Sequence, residues 1–94
     1  MKVVLSKAFD HNLREAPAAV QKAFWKQAGF LVNDIHHPSL RAKKYDAATG
    51  VWQARVTRGW RVYFIVAGDE YRLVDIIPHP KGNGPRRSSA RATG

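Results

Sequence analysis

Between Val51 and Pro78 the chain offers three apolar segments separated by gaps too short to admit any crossover. Val51–Thr57, Trp60–Val66 and Tyr71–Pro78 are rich in Val, Ile and aromatic residues, the composition of strands. Only Arg58-Gly59 and Ala67-Gly68-Asp69-Glu70 lie between them. Parallel neighbours need a connection of a dozen or more residues, so these segments must form an antiparallel meander. Gly at both breaks, with Asp at the second, suits hairpin turns because these residues tolerate positive φ.

Side chains alternate between the two faces of a strand, which sorts the meander into two surfaces. Trp52, Ala54 and Val56 share a face, as do Trp60, Val62, Phe64 and Val66, and then Arg72, Val74 and Ile76. These sets are mostly apolar and are expected to face a core. The opposite surface then collects Gln53, Arg55, Arg61, Tyr63, Tyr71, Asp75 and, at the strand end, His79. It is expected to stay open.

Upstream, Val3–Leu5 reads as a short strand joining the same sheet. Ser6 is placed to cap a helix from Lys7 to about Glu15, with Phe9 and Leu13 on one side. Pro17 suits the first turn of a second helix running to about Val32 or Asn33. Its apolar spacing is Val20, Phe24 and Leu31, with Ala23 and Gln27 between them. Pro38 disfavours helix at His37, and residues 40–45 are read as a short extended segment before a turn at Asp46–Gly50. The predicted order is β-α-α-β-β-β(-β), an α+β fold with two helices covering one face of an antiparallel sheet.

The length suits one domain, and 45% hydrophobic residues with three Trp suffice for a core. The domain is read as residues 1–81, followed by a tail at 82–94 that is polar, rich in Gly and Ser and expected to be disordered. No apolar run reaches membrane-span length, no signal-peptide core follows Lys2, and there is no Cys. A cytoplasmic location fits these features. Net charge is +9, from 16 basic and 7 acidic residues, and points to a polyanionic partner. Lys81, Arg86, Arg87 and Arg91 supply four of those charges, so the rest of the chain stays basic at +5.

Arg55 and Arg61 fall on adjacent strands of one hairpin, with His79 beyond the third strand. Two guanidiniums can hold a phosphate and stabilise the charge of a phosphorane-like transition state. A histidine titrates near neutral pH and can give or take a proton. Together they suit cleavage of RNA by its own 2′-hydroxyl, with no metal or cofactor. The competing reading is that both arginines pair with Asp75 and keep an exposed surface soluble. Lys43, Lys44 and Arg58 are candidate backbone contacts, and Tyr63 and Tyr71 candidate stacking surfaces for unpaired bases. Adjacent His36 and His37 point in different directions in an extended segment and lack an evident third ligand, so no metal site is predicted.

The stretches HPSLRAKKY (37–45), QARVTRGWRVYF (53–64) and IIPHPK (76–81) resemble, in order and spacing, the RelE/ParE superfamily of toxins from type II toxin–antitoxin systems. The resemblance implies an endoribonuclease that cleaves mRNA, usually on the ribosome, to inhibit translation. It also implies inhibition by a cognate antitoxin protein. Arg61 matches the arginine that binds the scissile phosphate, Arg55 a second basic position of that hairpin, and His79 a histidine that some members use as general acid or base. Pro80 follows His79 where several such nucleases have a tyrosine nearby. The ParE branch shares the fold, acts on DNA gyrase and usually lacks the histidine. A gyrase inhibitor and a non-catalytic basic RNA-binding module are the alternative readings.

Overall fold

The computed structural model describes residues 1–78. His79, Pro80 and the tail, with the roles expected of them, lie outside the described residues.

The chain forms β1 (Lys2–Leu5), α1 (Lys7–Glu15), α2 (Ala18–Asn33), a 3₁₀ turn (Pro38–Leu40), β2 (Lys43–Asp46), β3 (Val51–Thr57), β4 (Trp60–Ala67) and β5 (Glu70–Pro78). One five-stranded sheet has the order β1-β5-β4-β3-β2. The meander is antiparallel throughout. The sheet as a whole is mixed, because β1 adds parallel to β5, with Val3 opposite Tyr71 and Leu5 opposite Leu73. This pairing is compatible with the crossover rule because both helices and three strands intervene.

Both helices start where local chemistry directs. Ser6 Oγ accepts a hydrogen bond from the Phe9 N–H at 3.0 Å, capping α1. Pro17 stands as the cap residue of α2 rather than inside its first turn. Between the helices, Gln21 Nε2 donates to the carbonyls of Ala16 at 2.9 Å and Arg14 at 3.2 Å, satisfying acceptors that the end of α1 leaves open. Phe9 and Leu13 from α1 and Val20, Phe24, Ala28 and Leu31 from α2 enter the core. There they meet Ala54, Val56, Val62, Phe64, Leu73 and Ile76 from the sheet. Phe9 and Phe24 join the two helices, ring to ring, at 5.2 Å. Phe9, Phe64, Leu40, Leu73 and Ile76 are the largest side chains sealed from solvent.

The alternation predicted for β3 and β4 is observed at Ala54, Val56, Val62 and Phe64, all buried. For β5 it fails midway. Tyr63 opposes Asp75 and Phe64 opposes Leu73, so Val74 has no partner and forms a bulge. The extra residue reverses the parity N-terminal to it. Tyr71 and Leu73 point into the core, and Arg72 and Val74 are exposed, opposite to expectation. Tyr71 is therefore no stacking surface for RNA: it is 5% exposed and packs edge-on against Phe64 at 5.6 Å.

The two hairpin turns differ. Gly68 adopts φ 60°, the left-handed conformation expected. Gly59 is not in that region, and its turn is held by side chains instead. Thr57 Oγ1 accepts from the Gly59 N–H at 3.2 Å, and Arg61 spans the turn's carbonyls.

Candidate functional site

On the sheet surface away from the helices, Arg55 and Arg61 are direct cross-strand partners. Arg61 is anchored: Nη1 donates to the carbonyls of Thr57 at 2.8 Å, Trp60 at 3.0 Å and Arg58 at 3.1 Å. Burial and the adjacent Arg55 guanidinium, with Arg41 further off, pull its pKa below the ordinary arginine value, against the opposing influence of Tyr63. Like charges this close are unfavourable unless an anion joins them.

Asp75 does not neutralise the pair. Its Oδ1 accepts from Asn12 Nδ2 at 2.7 Å and from the Ile76 N–H at 2.9 Å. The ion pairs among the described residues are Lys2–Glu70, Arg14–Asp10 and Arg72–Glu70. Arg55 and Arg61 thus have no carboxylate partner among the described residues, which removes the reading of a structural Arg–Asp network.

Tyr63 lies on the expected surface but is only 5% exposed. The ring of Tyr45 covers it edge-on at 5.0 Å, and Gln53 Nε2 donates to its hydroxyl at 3.0 Å. Burial raises its pKa above the ordinary phenol value, partly offset by the Gln53 bond. The exposed aromatic on that surface is Tyr45, which a bulge in β2 delivers over Tyr63. Lys43 pairs with Gln53 and shares this surface. Lys44 pairs with Trp52, with Nζ 5.9 Å from that ring's centroid, and so belongs to the opposite surface, away from Arg55 and Arg61. Arg58 is exposed in the β3–β4 turn.

β2 is paired to β3 only as far as Gln53, so the far half of β3 has no strand partner on that side among the described residues. Against that side lies a cleft of about 610 Å³, lined by Lys26 and Gln27 of α2, by His37, Ser39 and Arg41 around the 3₁₀ turn, and by Arg55 and Arg58. Gln27 assembles it. It is 8% exposed, donates through Nε2 to the Arg55 carbonyl at 2.8 Å and the Ser39 carbonyl at 3.0 Å, and accepts from Ser39 Oγ at 3.1 Å. The sequence reading places Gln27 in the apolar stripe of α2, and a polar residue there is the one available signal. Lys26, His37 and Arg41 were not foreseen as neighbours of Arg55, because three separate segments bring them together.

No candidate metal cluster of His and acidic side chains occurs among the described residues. None of their helices is long and apolar enough to cross a membrane.

No protein-family profile matches the sequence, and no curated protein matches it. Solved structures do. The chain is similar to an archaeal RelE–RelB complex from Pyrococcus horikoshii (TM-score 0.72, 16% identity, 86% of this chain and 97% of that one). It is similar to a YoeB/ParE toxin from Agrobacterium tumefaciens (TM-score 0.70, 14% identity, 85% and 100%). A third is the RelBE2 toxin–antitoxin complex from Mycobacterium tuberculosis (TM-score 0.67, 15% identity, 80% and 93%). With two helices laid on one face of a five-stranded mixed sheet, the chain shares the fold of these RelE and YoeB/ParE toxins.

Proposed function

We propose that the chain is the toxin of a toxin–antitoxin pair and acts as an endoribonuclease on mRNA, on or near the ribosome. The observation that supports this reading most is the cross-strand pair Arg55–Arg61, fixed on a rigid hairpin and without a carboxylate partner among the described residues. Two uncompensated guanidiniums on adjacent strands suit a phosphodiester whose charge grows in the transition state. The RelE proteins of similar fold occur in complexes with RelB antitoxins, which supports a protein antitoxin as partner here.

In this mechanism the 2′-oxygen attacks the adjacent phosphorus and its proton passes to a base. Arg55 and Arg61 hold the non-bridging oxygens. The bond from phosphorus to the 5′-oxygen breaks, and an acid protonates the leaving oxygen. His79 supplies one of the two proton transfers, as the resemblance implies. The products are a 2′,3′-cyclic phosphate, or the 3′-phosphate from its hydrolysis, and a 5′-hydroxyl.

The test is incubation of the purified protein with mRNA, free and on translating ribosomes, in a chelator. Cleavage with 5′-hydroxyl ends is expected. Products with 5′-phosphates, or activity only with added divalent metal, refute the mechanism. Expression of the chain should arrest growth, and co-expression of a cognate antitoxin should relieve the arrest. Growth arrest with intact mRNA and inhibited gyrase would replace the nuclease reading with the ParE-like one.

A further inference from the structure

We infer that the cleft beside the far half of β3 is a second phosphate subsite, which takes the RNA backbone next to the phosphate held by Arg55 and Arg61. The inference rests on the reading of this chain as RNA-binding and extends it to a path for the strand.

Four cations line the cleft: Lys26 from α2, Arg41 after the 3₁₀ turn, and Arg55 and Arg58 from the β3 end. No Asp or Glu lines it, and none of the four is in an ion pair among the described residues. Arg41 adds to the depression of the Arg61 pKa, so its guanidinium is near enough to be felt there. It also sits at φ 47°, a left-handed conformation rare for a residue with a long side chain. Charges gathered from three segments without counter-ions form a preset anion site.

His37 adds an imidazole ring to the lining of the same cleft. Its Nδ1 accepts from the Ser39 N–H at 3.2 Å, which puts a ring N–H on Nε2. The ring stacks on Phe30 with centroids 3.9 Å apart and planes 9° from parallel, which fixes its orientation. The cleft volume, about 610 Å³, is within the usual range for small-ligand sites of about 300–1,000 Å³.

Arg55 connects the two subsites. It faces Arg61 across the β3–β4 ladder and also lines the cleft. Gln27 holds its carbonyl, so the junction is rigid. A strand leaving Arg61 passes Arg55 and meets Arg41, His37 and Lys26. Guanidinium forks match phosphates and carboxylates alike; it is the continuity of the cleft with the Arg55–Arg61 pair, through Arg55 itself, that favours a nucleic-acid backbone as occupant over an acidic peptide.

The experiment measures binding of a dye-labelled, fully 2′-O-methylated RNA oligonucleotide to the full chain across a salt series. Lys26→Gln and Arg41→Asn are compared with Lys7→Gln, on α1 away from the cleft. Asn tolerates the left-handed conformation at 41, and Arg41→Gly provides a second variant at that position. Each cleft variant should lower the log–log salt slope by about 0.7, and the double variant should weaken binding at least tenfold at moderate salt. Slopes and affinities no different from those of Lys7→Gln overturn the subsite. So does weakened capture of the antitoxin with unchanged RNA affinity, which assigns the cleft to the protein partner. Cleavage of mRNA by the wild-type chain, both free and on translating ribosomes, is scored alongside. Absent cleavage with the expected binding losses defeats the nuclease reading alone; cleavage with unchanged slopes defeats the subsite alone.

Discussion

Replacing Gln27 with Met isolates the clamp that holds the cleft. Met is close to Gln in volume, so little is lost in packing. The substitution removes two donated bonds, to the carbonyls of Arg55 and Ser39, and one accepted from Ser39 Oγ. Ser39 is exposed and its groups regain water. The part-buried Arg55 carbonyl loses its donor to a thioether that fills the space before it. An unsatisfied buried acceptor costs about 1–3 kcal/mol, and each lost exposed bond about 0.5 kcal/mol or more. Met recovers part of this through apolar burial, leaving a net loss of about 2 kcal/mol. For a chain of this size that lowers the melting temperature by roughly 8–16 °C. Calorimetry or circular dichroism reads the change directly. Ser39→Ala should cost less by itself and almost nothing in the Gln27→Met background, because the pair acts as a unit. A Gln27→Met protein melting within about 2 °C of wild type, or full additivity with Ser39→Ala, would refute the assignment of Gln27 as the clamp.

Arg61→Ala is expected to slow RNA cleavage by about 10²–10³-fold and to loosen the β3–β4 turn, whose three carbonyls lose their donor; single-turnover kinetics and amide exchange at residues 57–61 check both. His79→Ala should slow cleavage by about 10²–10⁴-fold and flatten one limb of the pH–rate profile; an unchanged rate moves the proton transfer to another group. Burial raises the pKa of Tyr63 and of Tyr71. Their folded values exceed the unfolded value of about 10, so their contribution to stability is complete below that pH and is lost as pH rises through the folded values. Urea midpoints should hold from pH 7 to 9 and fall above about pH 10, less steeply in Tyr63→Phe. Deleting Val74 removes the bulge yet leaves Leu73 opposite Phe64 and Tyr71 opposite Val66, so both keep facing the core and cooperative unfolding should be retained, as thermal melts would show.

The meander was legible because gaps of two and four residues leave a single connectivity. Ser6, Pro17 and the Val20–Phe24–Leu31 stripe announce the helices through local chemistry. The bulge at Val74 was not, because Tyr71, Leu73, Ile76 and Ile77 are apolar on both parities and nothing local chooses between registers. Tyr63 was expected in solvent because its cover, Tyr45, comes from a different strand. Arg55 and Arg61 were readable as neighbours across a two-residue turn. The cleft was not, because it exists only where α2, the 3₁₀ turn and the end of β3 converge.

The parallel pairing of β1 with β5 bears on the order in which the molecule is built. Residues 2–5 must find residues 70–73, the most distant strand pairing in the chain, whereas β3, β4 and β5 close through local hairpins. Loop-closure entropy favours the hairpins first and the terminal strand last. The arginine-bearing hairpin therefore forms ahead of the strand that completes the sheet, and substitutions in β3 and β4 should slow folding. Substitutions at Val3 and Leu5 should instead quicken unfolding. A partner that gripped β1 and β5 together would act on the slow closing step, and so on how long the finished protein persists.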